Sequence, residues 1–166
     1  RMRSLLMVLA LVLAIPSAIA AGQVRGAAEP PPERAYRLRG DLTASLALDL
    51  QAALRAGFRR IAITSRGGEV LVARAMGDLI NQADAVLVAE GQCHSACTYL
   101  WLASKRRALG RDANLALHAT FDKAGLNDFG ELWLRELGFP GLAQWARSRE
   151  LHHLSPEDLS AVSVEQ

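Results

Sequence analysis

The chain has 166 residues, 51% of them apolar, with 19 Lys+Arg against 17 Asp+Glu. That is enough to bury one hydrophobic core and too little for two domains. The small excess of basic charge sits at the N-terminus, so the composition gives no reason to expect a nucleic-acid partner.

Arg1 and Arg3 precede an uncharged apolar run from Leu5 to Ile15. Pro16 breaks the run, and Ala18-Ile19-Ala20 offers small residues to a signal peptidase. This order predicts a signal peptide over 1–20, cleaved after Ala20, and a periplasmic or secreted product. An uncleaved membrane anchor is the alternative, although the run is short for a spanning helix. The segment holds two basic residues and no acid, so the remainder carries 17 of each sign. Residues 21–35 are small or polar and contain Glu29-Pro30-Pro31-Pro32-Glu33, the composition of a flexible Pro-rich linker. The folded domain is expected over 36–166. In an exported protein the only two cysteines, Cys93 and Cys97, are either a disulfide or two buried thiols. Their spacing fits disulfide geometry poorly inside a regular helix, and a turn at Cys93 would help.

Within the domain, Leu46, Leu50 and Leu54 recur at helical spacing, and Gly57 stands where a helix ends. Arg60 to Thr64 is rich in β-branched residues and predicts a strand. Ser65-Arg66-Gly67-Gly68 must turn, and Val72, Ala75, Met76, Leu79, Ile80 and Ala83 form one helical face. Ala85 to Ala89 is uniformly apolar, as in a strand buried on both sides. A turn at 90–94, a helix from Ser95 to Ala103 and a strand ending in His118 follow. Asn127 or Asp128 caps a helix through Leu137, Leu142 to Arg149 reads as another, and Ser155-Pro156-Glu157-Asp158 is a helix-start signature. Alternating strands and helices joined by short loops predict an α/β fold with a mainly parallel sheet, crossover helices and a helical C-terminal third. In such sheets ligands bind beyond the carboxyl ends of the strands, where Gly67-Gly68, Ser95 and His118 all fall.

Each of these residues admits a structural reading and a chemical one. Two glycines after a strand make a tight turn, or they bring backbone N–H groups to a carbonyl oxygen. A serine at a strand-to-helix junction caps the helix, or it attacks an acyl carbon beside the helix N-terminus. A histidine at a strand end is a surface residue, or a base that takes the serine proton. His94, His152 and His153 are rivals for that role.

The stretch from Ile61 to His118 resembles the central part of the Clp protease proteolytic subunit, in the Clp-protease/crotonase superfamily. Ile63-Thr64-Ser65-Arg66-Gly67-Gly68 is similar to that family's I-N-S-P-G-G. Gly91-Gln92-Cys93-His94-Ser95 is similar to its G-Q-A-A-S, and Ala113-Asn114-Leu115-Ala116-Leu117-His118 to its P-N-S-R-V-M-I-H. Spacing between the three blocks agrees almost residue for residue. A nearer likeness is to small exported relatives with C-x-S-A-C at the nucleophile turn. The resemblance implies a ββα superhelix with Ser95 as nucleophile, His118 as base, and Gly68 and Ala96 as oxyanion donors. It covers about 60 residues well and the next 40 loosely. The family's third catalytic residue is an Asp three positions before a Leu-Ser pair. Leu154-Ser155 resembles that pair, but Leu151 holds the Asp position, with Glu150 beside it as a weak substitute. The segment after His118 is shorter than the family's and lacks its long handle helix, which argues against a double-ring protease.

These readings lead to an exported serine hydrolase, a peptidase or esterase working through an acyl-enzyme on a peptide or small acyl substrate. No cofactor, no nucleic acid and no ATP-dependent unfoldase is expected; a homo-oligomer is compatible with the sequence. The alternative is an inactive member of the fold that binds a peptide or acyl group. A third reading, zinc held by Cys93, His94, Cys97 and His118, has ligand types that suit the metal but an unconvincing spacing. No metal site is therefore expected.

Overall fold

The computed structural model describes residues 34–165. The expected signal segment and residues 21–33 of the linker lie outside it. The first strand, β1, runs over Tyr36–Arg39 and is followed by helix α1 over Ala44–Arg55. Thr43 starts α1 by accepting the Leu46 N–H on its hydroxyl at 3.3 Å, and Leu50, Ala53 and Leu54 turn inward. Strand β2 (Arg60–Ser65) leads through the two glycines to α2 (Val70–Gln82), whose inward face carries Ala73, Met76, Gly77 and Ile80. Strand β3 (Val86–His94) then leads to α3 (Ala96–Ala103). From Ala96 to Leu102 every side chain of α3 is buried, which makes it the central helix.

The main sheet has the order β1-β2-β3-β5-β8, where β5 is Asn114–Leu117 and β8 is His152–His153. Every pair in it is parallel except β5 with β8. Helices α1, α2 and α3 cover one face around a core that includes Leu38, Ile61, Ile63, Met76, Leu87, Tyr99 and Trp101. Burying an aliphatic side chain of this kind stabilises by about 1.5–3 kcal/mol. Trp101 combines complete burial with a hydrogen bond from its indole N–H to the Ala108 carbonyl at 2.9 Å, so no polar atom is stranded. The parallel sheet and crossover helices expected from the sequence are present. No helix among the described residues is long and apolar enough to cross a membrane.

Strand β3 changes partners halfway. Its first half pairs with β4 (Arg106–Leu109) and its second half with β5. Against β2 the register jumps from Ile63↔Ala89 to Ser65↔Cys93, so two extra β3 residues bulge out around Gly91, whose φ is +56°. The turn expected at 90–94 is therefore a continuing strand. Glycine absorbs the kink as a bulge, and the chain pairs again beyond it.

The C-terminal third holds α4 (Phe129–Glu136) beside a hairpin of β6 (Thr120–Asp122) and β7 (Gly125–Asn127), which the periodicity had not indicated. The helix expected from Leu142 is a 3₁₀ helix over Ala143–Arg147. Ser155 and Asp158 form a reciprocal capping box, with each backbone N–H held by the other's side chain, yet only turns follow it. Asp158 also accepts from the Trp145 indole and bonds His152, so this box pins a loop instead of starting a helix.

Candidate active site

Ser95 occupies the single residue between β3 and α3, at φ +54° and ψ −125°. A non-glycine residue in this left-handed region costs roughly 1–3 kcal/mol and persists only where its surroundings impose it. Here they do. The Ser95 N–H donates to the Ala116 carbonyl at 2.8 Å, fastening the turn to β5. Thr98 reinforces that junction, its hydroxyl donating to the Cys93 carbonyl at 2.5 Å and accepting the Ala116 N–H at 3.1 Å. Cys93 and Cys97 are joined in a disulfide with Cα atoms 5.0 Å apart. A regular helix would not present them so; Cys93 lies in a strand and the turn at Ser95 brings Cys97 back to it. Both thiolates of the zinc reading are thereby consumed.

The backbone angle also decides what the Ser95 hydroxyl does. It does not cap α3, although that is the commonest use of a serine at this position. Among the described residues it makes no hydrogen bond to any group, and the residue is half-buried.

The glycine pair has two separate steric reasons. A Cβ on Gly67 would lie 2.8 Å from Ser95 Cβ and 3.2 Å from its hydroxyl oxygen. A Cβ on Gly68 would lie 2.6 Å from the backbone N and O of Leu42. Gly67 thus lets the loop close onto the serine, and Gly68 lets it close onto the segment before α1. The Ser65 hydroxyl accepts the Gly67 N–H at 3.0 Å, and Leu42 bonds Gly67 O and the Glu69 N–H. The N–H groups of Gly68 and Ala96 donate no hydrogen bond among the described residues; Gly68 is exposed and Ala96 buried.

His118 stands just past the end of β5, half-buried, with its ring stacked on Phe121 at 5.8 Å. Its Nδ1 lies 2.6 Å from the Ala119 carbonyl oxygen. A carbonyl can only accept, so Nδ1 carries the proton, and Nε2 is the nitrogen left to exchange one with a substrate or the Ser95 hydroxyl. The Tyr99 hydroxyl donates to the His118 carbonyl at 2.9 Å, linking α3 to this residue. Burial raises the pKa of that phenol, which keeps it a donor. Ser95 and His118 are not hydrogen-bonded to each other.

The Glu150 side chain is exposed and makes no hydrogen bond to the imidazole, whose Nδ1 is occupied by Ala119. The other histidines are engaged elsewhere. His94 Nε2 and His153 Nδ1 both lie 2.8 Å from Asn114 Oδ1. His152 bonds Asp158 and stacks on Trp145. Thr98, Tyr99 and the Ala119 carbonyl escaped the sequence reading, because supports of this kind work through backbone acceptors that leave no motif.

Among the solved structures that share this architecture are two of one protein. ClpP1 from Listeria monocytogenes is similar with a TM-score of 0.59 and 17% identity, covering 76% of this chain and 85% of that one. A single-residue mutant of ClpP1 from the same organism gives a TM-score of 0.56, with the same identity and coverage. The chain therefore has a Clp protease-like fold. No protein-family model and no curated protein matches it.

Proposed function

We propose that this protein is a serine hydrolase, a peptidase or esterase, with Ser95 as nucleophile and His118 as general base. The observation that carries the reading is the Ser95 turn: a strained left-handed serine whose hydroxyl is withheld from helix capping, against a glycine with no side chain to obstruct it. In this mechanism His118 Nε2 takes the hydroxyl proton as Oγ attacks the acyl carbon. The Gly68 and Ala96 N–H groups and the α3 N-terminus stabilise the oxyanion. Nε2 then returns the proton to the leaving group, and water repeats the sequence to release the acid. The Ala119 carbonyl holds the imidazole tautomer in place of an aspartate, which makes this a dyad with backbone support.

The test is labelling of the purified protein with a fluorophosphonate. An adduct that Ser95→Ala and His118→Ala both abolish supports the proposal; absence of a Ser95 adduct sinks it. A second reading, a peptide- or acyl-binding member of the fold without turnover, is favoured by the missing carboxylate at His118 Nδ1. It requires saturable binding that survives Ser95→Ala. We also read the chain as exported to the periplasm or beyond, a placement consistent with the Cys93–Cys97 disulfide. Cell fractionation of tagged full-length protein decides that point.

A further inference from the structure

The disulfide encloses the reactive turn. Cys93 is the penultimate residue of β3, Cys97 is the second residue of α3, and Ser95 lies midway between them. Both cysteines are fully buried on the core side, so the sulfurs do not face a substrate. We infer that the Cys93–Cys97 bond is a positioning strap, holding Ser95 in the conformation that presents its hydroxyl to substrate. The inference rests on the hydrolase reading and adds what keeps that site assembled.

The physical argument compares two states of one junction. In the observed state Ser95 has positive φ and its hydroxyl caps nothing. In the competing state Ser95 relaxes to extended backbone, and its hydroxyl accepts an N–H from the first turn of α3. That relaxation relieves backbone strain and gains a cap, so local energetics favour it. An extended residue at 95 also moves the Cα atoms of residues 93 and 97 apart, past the ~7 Å that a disulfide spans. The observed separation of 5.0 Å is available only with the chain folded back at Ser95. The bond therefore excludes the capped, unreactive geometry. Its loop is too short for large general stabilisation through chain entropy, which grows with loop length. Its effect falls on the turn it encloses. Thr98 and the Ser95 N–H act in the same direction, but hydrogen bonds open and a covalent bond does not.

The experiment uses the full chain and a fluorophosphonate probe, measuring the maximal labelling rate and the half-saturating probe concentration separately. Disulfide-bonded wild type is compared with wild type reduced by a phosphine and with the Cys93→Ala/Cys97→Ala pair. Circular dichroism and denaturant midpoints are recorded for each. The strap predicts that the maximal rate falls about tenfold or more without the bond, while half-saturation and far-ultraviolet spectrum stay unchanged. Reoxidation of the reduced protein restores the rate. Equal rates with and without the bond overturn the strap and leave the hydrolase reading standing. Loss of rate together with loss of the folded spectrum also overturns it, since the bond then supports the whole domain. No labelling of disulfide-bonded wild type removes the hydrolase reading and the strap with it.

Discussion

The hydroxyl of Tyr99 donates to the backbone carbonyl of His118 at 2.9 Å, while the backbone N–H of Tyr99 lies 3.2 Å from the carbonyl of Ser95. One residue of α3 thus touches the chain at both proposed reacting positions. Its ring is held by stacking on Trp133 at 5.8 Å and 6° and by the open flank of Gly130. A Cβ on Gly130 would fall 2.3 Å from that hydroxyl.

Tyr99→Phe is expected to cost about 1 kcal/mol, the net worth of one hydrogen bond, and to slow Ser95 labelling by loosening His118. Gly130→Ala is expected to cost more, about 1–3 kcal/mol, because the ring it displaces is stiff. Combining the two should cost less than their sum, since removal of the hydroxyl relieves the tightest of the methyl's contacts and leaves the ring carbon at 2.8 Å. Urea denaturation of the three variants measures this. Strict additivity would show that Gly130 does not act through Tyr99.

A capping serine and a free one differ in what their loss does to stability. Ser95→Ala should abolish labelling and change stability by less than about 0.5 kcal/mol. Thr43→Ala removes a real cap and should cost about 1 kcal/mol with labelling intact. Thermal unfolding and probe labelling of both proteins make the comparison. A large loss of stability in Ser95→Ala would contradict the free-hydroxyl geometry.

Gly67→Ala places a methyl group against Ser95 at a backbone φ of +117°. Labelling should fall at least about a hundredfold, since displacement of a reacting atom by about 1 Å has effects of that size. Gly91→Ala is the matched control. Its φ is also positive, but the nearest atom, Thr64 Cγ2, is 3.8 Å away. It should lose about 1–2 kcal/mol of stability while the folded fraction labels normally. Similar labelling by both variants would remove Gly67 from the site.

The acid limb of stability should report two carboxylates in the C-terminal third. Hydrogen bonds from Arg147 and Arg135 hold Glu131 at about 2, against an ordinary value of 4.5. Burial raises the Asp158 pKa, but bonds from Ser155, His152 and Trp145 outweigh it and leave a net lowering. Both groups have folded pKa values below their unfolded ones. Their stabilisation is therefore complete above the unfolded values and is lost as pH falls through the folded ones, which for Glu131 means toward about 2. Glu131→Gln and Asp158→Asn should each be less stable than wild type at neutral pH and show a shallower decline on acidification. Denaturant midpoints across that range test the sign; an unchanged acid slope would contradict it.

Local pattern was sufficient for the parallel α/β architecture. Strands such as Ala85 to Ala89 and the helical face from Val72 to Ala83 carry their burial in their own periodicity, and burial dominates the energy. Gly67, Ser95 and His118 were also legible as candidates, because each stands at a strand end where a parallel sheet collects ligands. The turn expected at 90–94 failed because a bulge at Gly91 and a partner exchange between β4 and β5 depend on residues far away in the chain. Cysteine spacing alone left the redox state open; the backbone reversal at Ser95 brought the two sulfurs together. Tertiary structure alone shows the hydroxyl left uncapped and the imidazole held by the Ala119 carbonyl. A backbone carbonyl is present at every position, so no residue type advertises which one will meet a histidine. That is decided only when β5, α3 and the segment after Ala119 pack around the same few atoms.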